Sequence, residues 1–196
     1  MICTKDLDFI IEKYDIPVKK YRFIFNGDFV DRGPKQCEVL LTILYAQLLY
    51  PHRIFLNRGN HEDTSLNLSK QFKPNFNADC MKKFNQYGPV FFQNAVDFFT
   101  YLPIATILSN QYYRCFVVHG GISNNINLSY FSAINRFRFK SINVKPNDKE
   151  SEQLTDLLWS DPLKPNTKPY LTKYGCFKSS RGAGVLFGED ISESFC

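Results

Sequence analysis

A chain of 196 residues that is 44% hydrophobic and 16% aromatic is long enough to bury the core of one domain. Its 24 basic and 19 acidic residues are scattered along the chain, so the net charge of +5 indicates a solvated surface rather than a nucleic-acid-binding tail. We expect no export leader, since the residues after Met1 lack the charged and apolar pattern of one. The chain has no apolar run of about 18 residues, and its six cysteines form no C-x-x-C pair. These features argue against a membrane span, a zinc knuckle and a dense disulfide framework. We expect a single domain over residues 1–196, with reduced thiols and a cytoplasmic or nuclear location.

The first fifty residues alternate between helical and extended patterns. Apolar residues at helical spacing predict a helix over residues 6–14, and a β-prone run predicts a strand over 22–25. A second helix should begin after Gly33-Pro34, because proline fits the first turn of a helix. Its predicted buried face carries Leu40, Ile43, Leu44 and Leu48.

The alternation then repeats, with a strand predicted over 53–56, a helix-rich stretch to residue 99 and a strand over 115–118. Strands that alternate with helices are typical of an α/β fold. The polar stretch Asn143–Gln153 is predicted to be an exposed connection, and the helical pattern before Ser160 should end at Trp159.

Each of the three predicted strands ends at a loop that contains glycine and a potential metal ligand. These ligands are Asp28, Asn60 and His119. Taken singly, Asp28 fits a turn, Asn60 a loop and His119 a buried core position. Ligands of open α/β sheets bind beyond the carboxyl ends of strands, so the three loops could also meet at one point. A carboxylate, an amide oxygen and an imidazole together suit Mn²⁺, Fe or Zn²⁺.

The sequences of these loops resemble the signature motifs of a known family. The matching segments are Gly27–Gly33, Arg58–Glu62 and His119–Gly121, followed by Trp159–Pro162, Ser180–Gly182 and Phe187-Gly188. In this order they resemble the serine/threonine phosphoprotein phosphatases. Phe25-Asn26 and Leu48–Pro51 are similar to the branches that carry EF-hands or tetratricopeptide repeats. The resemblance implies a metallophosphatase fold, which is a central β-sandwich flanked by helices.

The resemblance also implies two divalent metal ions and a phosphoprotein substrate. Asp28 would bridge the two ions, and Asn60 and His119 would hold the second ion. The implied reaction is direct attack on phosphoserine or phosphothreonine by metal-bound hydroxide. The sequence does not predict a regulatory partner.

The same family positions imply roles for four further residues. His61 would be the general acid that protonates the leaving alkoxide, and Asp31 would orient its ring. Arg32 and Arg181 would bind phosphate oxygens, because a planar guanidinium can contact two oxygens at once.

The chain departs from the family pattern at both ends. The motif Gly-Asp-x-His-Gly, which supplies ligands of the first metal, is absent, and the only histidines are His52, His61 and His119. We therefore expect the first metal site to be incomplete and the chain to be weakly active or inactive. It would be either a fragment of a full enzyme or a degenerate phosphatase.

Two other functions remain open at this point. One is a metallophosphoesterase that acts on nucleotides or phosphodiesters. Arg58, Arg181 and Trp159–Pro162 argue against it, since they resemble the protein phosphatases specifically. The other is a phosphatase-like binding module without catalysis.

Overall fold

A computed structural model describes residues 2–14, 21–142, 148–164 and 172–196. The chain divides into two compact units, Met1–Pro103 and Ile104–Cys196. Each unit has its own cluster of buried hydrophobic side chains.

The first unit alternates helices with two short strands. In chain order its elements are α1 (Thr4–Tyr14), β1 (Phe23–Asn26), α2 (Gln36–Leu49), β2 (Ile54–Asn57), α3 (Thr64–Asn67), α4 (Phe76–Phe84) and α5 (Gly88–Tyr101). β1 and β2 pair in parallel, with Phe23 opposite Ile54 and Asn26 opposite Asn57. The predicted strands are confirmed to within one residue, and the predicted first helix to within two.

The α2 helix packs on the core of the first unit through part of its circumference. Leu40 and Ile43 are buried and Leu44 is half-buried, as predicted, but Leu48 is 79% exposed. The prediction for Leu48 was wrong because α2 is apolar around most of its circumference. Hydrophobic periodicity therefore does not single out the buried side of this helix.

This difference within one helix gives a matched pair of substitutions. Ile43→Ala should lower the free energy of unfolding by about 2–5 kcal/mol, since it leaves a cavity in the core. Leu48→Ala should change it by less than about 0.5 kcal/mol, because the side chain already contacts water. Urea denaturation of both variants measures the difference, and equal losses would show that Leu48 is covered in solution.

The second unit contains two small sheets. Its elements are β3 (Ala105–Ser109), β4 (Arg114–Val118), α6 (Leu128–Ser132), α7 (Lys149–Trp159), β5 (Asp161–Pro162), β6 (Cys176–Lys178), β7 (Val185–Phe187) and α8 (Glu189–Phe195). β3 and β4 form an antiparallel pair. In the other sheet β7 lies between β5 and β6, parallel to β5 and antiparallel to β6. The strand predicted over 115–118 is confirmed as β4.

The start of α7 corrects the predicted exposed connection over Asn143–Gln153. Residues 143–147 lie outside the described part of the chain, but α7 begins at Lys149, and Gln153 is 1% exposed. Asp148 caps the helix, since its Oδ1 accepts a hydrogen bond from the Ser151 backbone N–H (2.8 Å). The polar residues near 150 therefore begin a helix instead of forming a loop.

All six cysteines are free thiols, and Cys37 and Cys80 lie in the first core with their Sγ atoms 3.8 Å apart. Among the described residues, no helix is both long enough and apolar enough to cross a membrane.

Candidate functional site

The loop after β1 has an unusual backbone. Gly27, Asp28, Asp31 and Arg32 all have positive φ, at 83°, 59°, 68° and 62°. Glycine and aspartate tolerate this left-handed conformation, but arginine rarely adopts it. Such conformations cost free energy and cluster at functional sites. The loop is therefore held in shape by its surroundings.

The parallel pairing of β1 and β2 brings two predicted site loops to the same edge of the sheet. At the last paired position, Asn57 Nδ2 donates a hydrogen bond to Asn26 Oδ1 (2.9 Å). Beyond it, the His61 backbone N–H donates to Asp28 Oδ1 (3.2 Å). The structure thus brings Asp28 close to the loop that carries Asn60 and His61.

Glu62 joins the two loops through its buried carboxylate. Its Oε2 accepts hydrogen bonds from the backbone N–H groups of Asp28 (2.7 Å) and Gly59 (2.8 Å), and its Oε1 accepts one from Phe29 (2.7 Å). The pKa of Glu62 is raised to about 7, mainly by burial and secondly by the negative charge of Asp28. The three N–H donors lower this pKa, but by less. Sequence reasoning gave Glu62 no role, although it lies within a recognised motif.

The raised pKa of Glu62 predicts how stability depends on pH. Between pH 4.5 and about 7 the folded metal-free chain holds a proton on Glu62 that the unfolded chain has released. The free energy of unfolding should therefore fall as pH rises through this window. Urea denaturation at several pH values tests this. Glu62→Gln should flatten the slope, whereas Glu12→Gln on the exposed face of α1 should not, and identical slopes in all three proteins would contradict the assignment.

Asp31 and His61 form a buried pair beside this junction. His61 Nδ1 lies 2.8 Å from Asp31 Oδ2, and both side chains are almost inaccessible to solvent. The carboxylate also accepts hydrogen bonds from the Phe76 backbone N–H (2.9 Å) and from Asn67 Nδ2 (3.0 Å). An ionised carboxylate can only accept, so Nδ1 of His61 donates and Nε2 is the ring nitrogen left for other chemistry.

Asn60 has the properties of a cation ligand. The residue is 4% exposed, and its Oδ1 has no hydrogen-bond partner among the described residues. Burying such an oxygen is costly unless it is paired, and a bound cation would satisfy it. Asp28, which is half-buried, is the nearby carboxylate. In the described part of the chain no three His, Cys, Asp or Glu side chains form a metal cluster. The predicted ligands in the first unit are the Asp28 carboxylate and the Asn60 amide.

Arg32 is exposed at the edge of the same loop. Its guanidinium carbon lies 4.9 Å from the centre of the Phe72 ring, and the His61 ring packs edge-on against Phe72 with centroids 4.9 Å apart. The Arg32 backbone N–H donates to the Pro74 carbonyl (3.1 Å). Phe72 thus contacts two of the predicted site residues.

His119 lies in the second unit, directly after β4, and is half-buried. The prediction that the three loops meet relied on strands that end at the same edge of one sheet. This is true of β1 and β2, which pair in parallel, but β4 pairs antiparallel with β3 in a separate sheet. The backbone N–H of Gly120 donates to the Leu157 carbonyl (2.9 Å), and a Cβ at Gly120 would lie 2.7 Å from the Trp159 nitrogen. Close packing against the end of α7 therefore fixes the loop that carries His119.

Arg181 also belongs to the second unit, where it is exposed. Its guanidinium bonds Asp161 Oδ2 (2.8 Å), and its guanidinium carbon lies 5.0 Å from the centre of the Trp159 ring. Trp159 is half-buried and packs against the second core. The segment Trp159–Pro162 thus orients Arg181.

Comparison with known proteins gives one family and several relatives. A family model described as calcineurin-like phosphoesterase matches residues 2–196. Serine/threonine-protein phosphatase with EF-hands 1 of Rattus norvegicus is 36% identical over 213 residues, which cover 95% of this chain and 31% of the rat protein. Serine/threonine-protein phosphatase T of Schizosaccharomyces pombe is 34% identical, with 97% of this chain and 36% of the yeast protein covered.

The solved structures include a similar protein as well. A protein serine/threonine phosphatase from Saccharomyces cerevisiae, with similarity to human phosphatase PP5, superimposes with a TM-score of 0.72 at 34% sequence identity. The match covers 96% of this chain and 52% of that chain. This chain therefore spans about a third of the length of these curated relatives and about half of the solved chain.

Proposed function

Because the chain belongs to the calcineurin-like phosphoesterase family, we propose that its residues serve the metal-dependent hydrolysis of phosphoserine and phosphothreonine in proteins. The relatives described above are serine/threonine-protein phosphatases. One observation carries the proposal, namely that the buried Asp31–His61 pair adjoins the loops with Asp28 and Asn60. A proton donor and candidate cation ligands thus occupy one edge of a sheet.

The family uses divalent metal ions. By family position alone, Asp28 would serve both ions, and Asn60 and His119 would serve the second, with Mn²⁺, Fe and Zn²⁺ as the suitable metals. Asp28 is the residue of this chain that we assign to the first ion. When bound, the ions would neutralise phosphate charge and supply a nucleophile at neutral pH.

His61 would act as the general acid. Because Nδ1 donates to Asp31, a protonated ring carries its transferable proton on Nε2. The Asp31 carboxylate stabilises the positive charge on that ring and fixes its orientation. A serine alkoxide is a poor leaving group unless it receives a proton, and His61 would supply that proton.

Arg32 and Arg181 would bind phosphate oxygens. Arg32 stacks on Phe72, which leaves the in-plane N–H groups of its guanidinium free for an anion. Arg181 is exposed and paired with Asp161, and an exposed ion pair is weak enough to admit a phosphate as an additional partner. A guanidinium carries the positive charge that a dianionic phosphate requires.

The assigned ligands predict a metal-binding experiment on the chain itself. Mn²⁺ should bind weakly, and Asp28→Ala and Asn60→Ala should each lower the affinity by about tenfold or more, because each removes an oxygen ligand. Titration calorimetry measures the affinity. Asp8→Ala removes an exposed carboxylate of α1 and is the matched control. If all three variants bind Mn²⁺ like the unchanged chain, the assigned site is wrong.

Activity is best tested in a chimera, because this chain spans only half of its solved relative. Residues 2–196 would replace the matching part of the Saccharomyces cerevisiae phosphatase. With Mn²⁺, the chimera should hydrolyse a phosphoserine peptide faster than bis-p-nitrophenyl phosphate. Preference for the diester would favour a different phosphoesterase, and a folded chimera without turnover would favour a binding module.

A further inference from the structure

Asn67 lies next to the Asp31–His61 pair without belonging to any recognised motif. It is the last residue of α3 and is 0% exposed. Asp63 caps this short helix, because its side chain accepts a hydrogen bond from the Ser65 backbone N–H (2.8 Å). The Asn67 backbone N–H donates to the Asp63 carbonyl (2.9 Å). The cap therefore fixes the position of the Asn67 backbone, from which the side chain extends to the pair.

The Asn67 amide bonds both members of the pair. Its Nδ2 donates one hydrogen bond to Asp31 Oδ2 (3.0 Å) and another to the His61 carbonyl oxygen (2.8 Å). Both partners are acceptors, so the amide nitrogen must face them. Asn67 thus links the carboxylate that holds the His61 ring to the backbone that carries it.

The other end of the amide is costly to bury. Asn67 Oδ1 has no hydrogen-bond partner within the part of the chain that the structure describes. A leucine of similar size would avoid this cost but would leave the Asp31 carboxylate and the His61 carbonyl without these two bonds. The position therefore fits a requirement for the two N–H donors.

We propose that Asn67 is a positioning residue that fixes the Asp31 carboxylate and the His61 backbone relative to each other, so that the His61 ring keeps one orientation. This inference rests on the proposed function for its purpose, since the oriented ring is the assigned general acid. The Asp31 backbone is held separately, because its N–H donates to Gln36 Oε1 (2.6 Å) and Gln36 Nε2 donates to the Pro74 carbonyl (3.1 Å). Loss of Asn67 should therefore loosen Asp31 Oδ2 and the His61 ring without unfolding the loop, while the Phe76 backbone N–H still holds Asp31 Oδ1.

The ring hydrogen bond can be observed without any enzymatic activity. The chain has three histidines, so ¹⁵N-histidine labelling gives few signals, and His61→Gln identifies those of His61. The unchanged chain should show a slowly exchanging proton on Nδ1 of His61. In Asn67→Leu this proton should disappear or exchange about tenfold faster or more, the scale set by one hydrogen bond to a charged group.

Asn110→Ala is the matched control. The Asn110 side chain also takes part in two hydrogen bonds, since its Oδ1 accepts from the backbone N–H groups of Tyr112 (2.8 Å) and Tyr113 (2.9 Å), and it belongs to the second compact unit, whereas Asp31 and His61 belong to the first. This variant should leave the His61 signals unchanged. A merely structural role for Asn67 would instead leave the Nδ1 proton intact in the folded fraction of Asn67→Leu.

An unchanged His61 spectrum in Asn67→Leu overturns the proposal, as does the absence of the Nδ1 proton in the unchanged chain. If Asn67→Leu does not fold, Asn67→Ser is judged by the same signal. If neither folds where Asn110→Ala does, Asn67 is a structural residue and the proposal fails. The Mn²⁺ titration and the activity of the chimera test the proposed function, whereas this spectrum tests only the role of Asn67.

Discussion

Gly59→Ala is expected to lower the free energy of unfolding by about 3 kcal/mol or more and to abolish Mn²⁺ binding. A Cβ at Gly59 would lie 2.5 Å from the Asp28 backbone nitrogen, 2.7 Å from Asp28 Oδ1 and 2.7 Å from Glu62 Oε2. These atoms cannot simply move apart, because the Asp28 N–H donates to Glu62 Oε2. The alanine would therefore separate the two loops at the position where the assigned ligands lie.

Gly33→Ala provides the control for this prediction. A Cβ at Gly33 would have the Asp31 carbonyl oxygen as its nearest neighbour, at 4.0 Å. Its effect on the free energy of unfolding should stay within about 0.5 kcal/mol. Thermal and urea denaturation with Mn²⁺ titration would compare the two variants. Equal stability would mean that the junction of the two loops is not rigid.

The parts of the fold that sequence reasoning predicted depend on short-range signals. β1 and β2 are apolar runs that end at glycine-bearing loops, and such loops mark the carboxyl edge of a parallel sheet. Asp28 and Asn60 could therefore be placed near each other before any coordinates were known. The resemblance to the serine/threonine phosphoprotein phosphatases and the metallophosphatase fold are confirmed by the family match and the solved relative.

The parts that were missed depend on contacts between distant positions. Asn67 bonds Asp31 across 36 positions, and Glu62 bonds Asp28 across 34 positions, so local pattern does not reveal either. β3 was not assigned, because its residues are half-buried or exposed and only pairing with β4 makes it a strand. The start of α7 did carry a local signal in the Asp148–Ser151 capping box, which the polar composition of the stretch obscured.

His61→Asn in the chimera is expected to lower kcat on a phosphoserine peptide by about 10²–10⁴-fold, which is the usual contribution of a general acid. The reason is chemical, because serine leaves as a strongly basic alkoxide, and asparagine cannot protonate it. His52→Asn, at an exposed histidine of the same chain, should leave kcat unchanged.

The leaving group separates proton transfer from other roles of His61. p-Nitrophenolate leaves without protonation, so His61→Asn should lower kcat on p-nitrophenyl phosphate by roughly tenfold or less. Asp31→Asn should also lower kcat more on the phosphoserine peptide than on p-nitrophenyl phosphate, but by a smaller ratio, because the His61 ring remains and loses only its carboxylate partner. Steady-state kinetics on both substrates, with Mn²⁺ at saturation, measures these ratios. An equal loss on the two substrates would mean that His61 binds the phosphate or a metal ion and does not donate the proton.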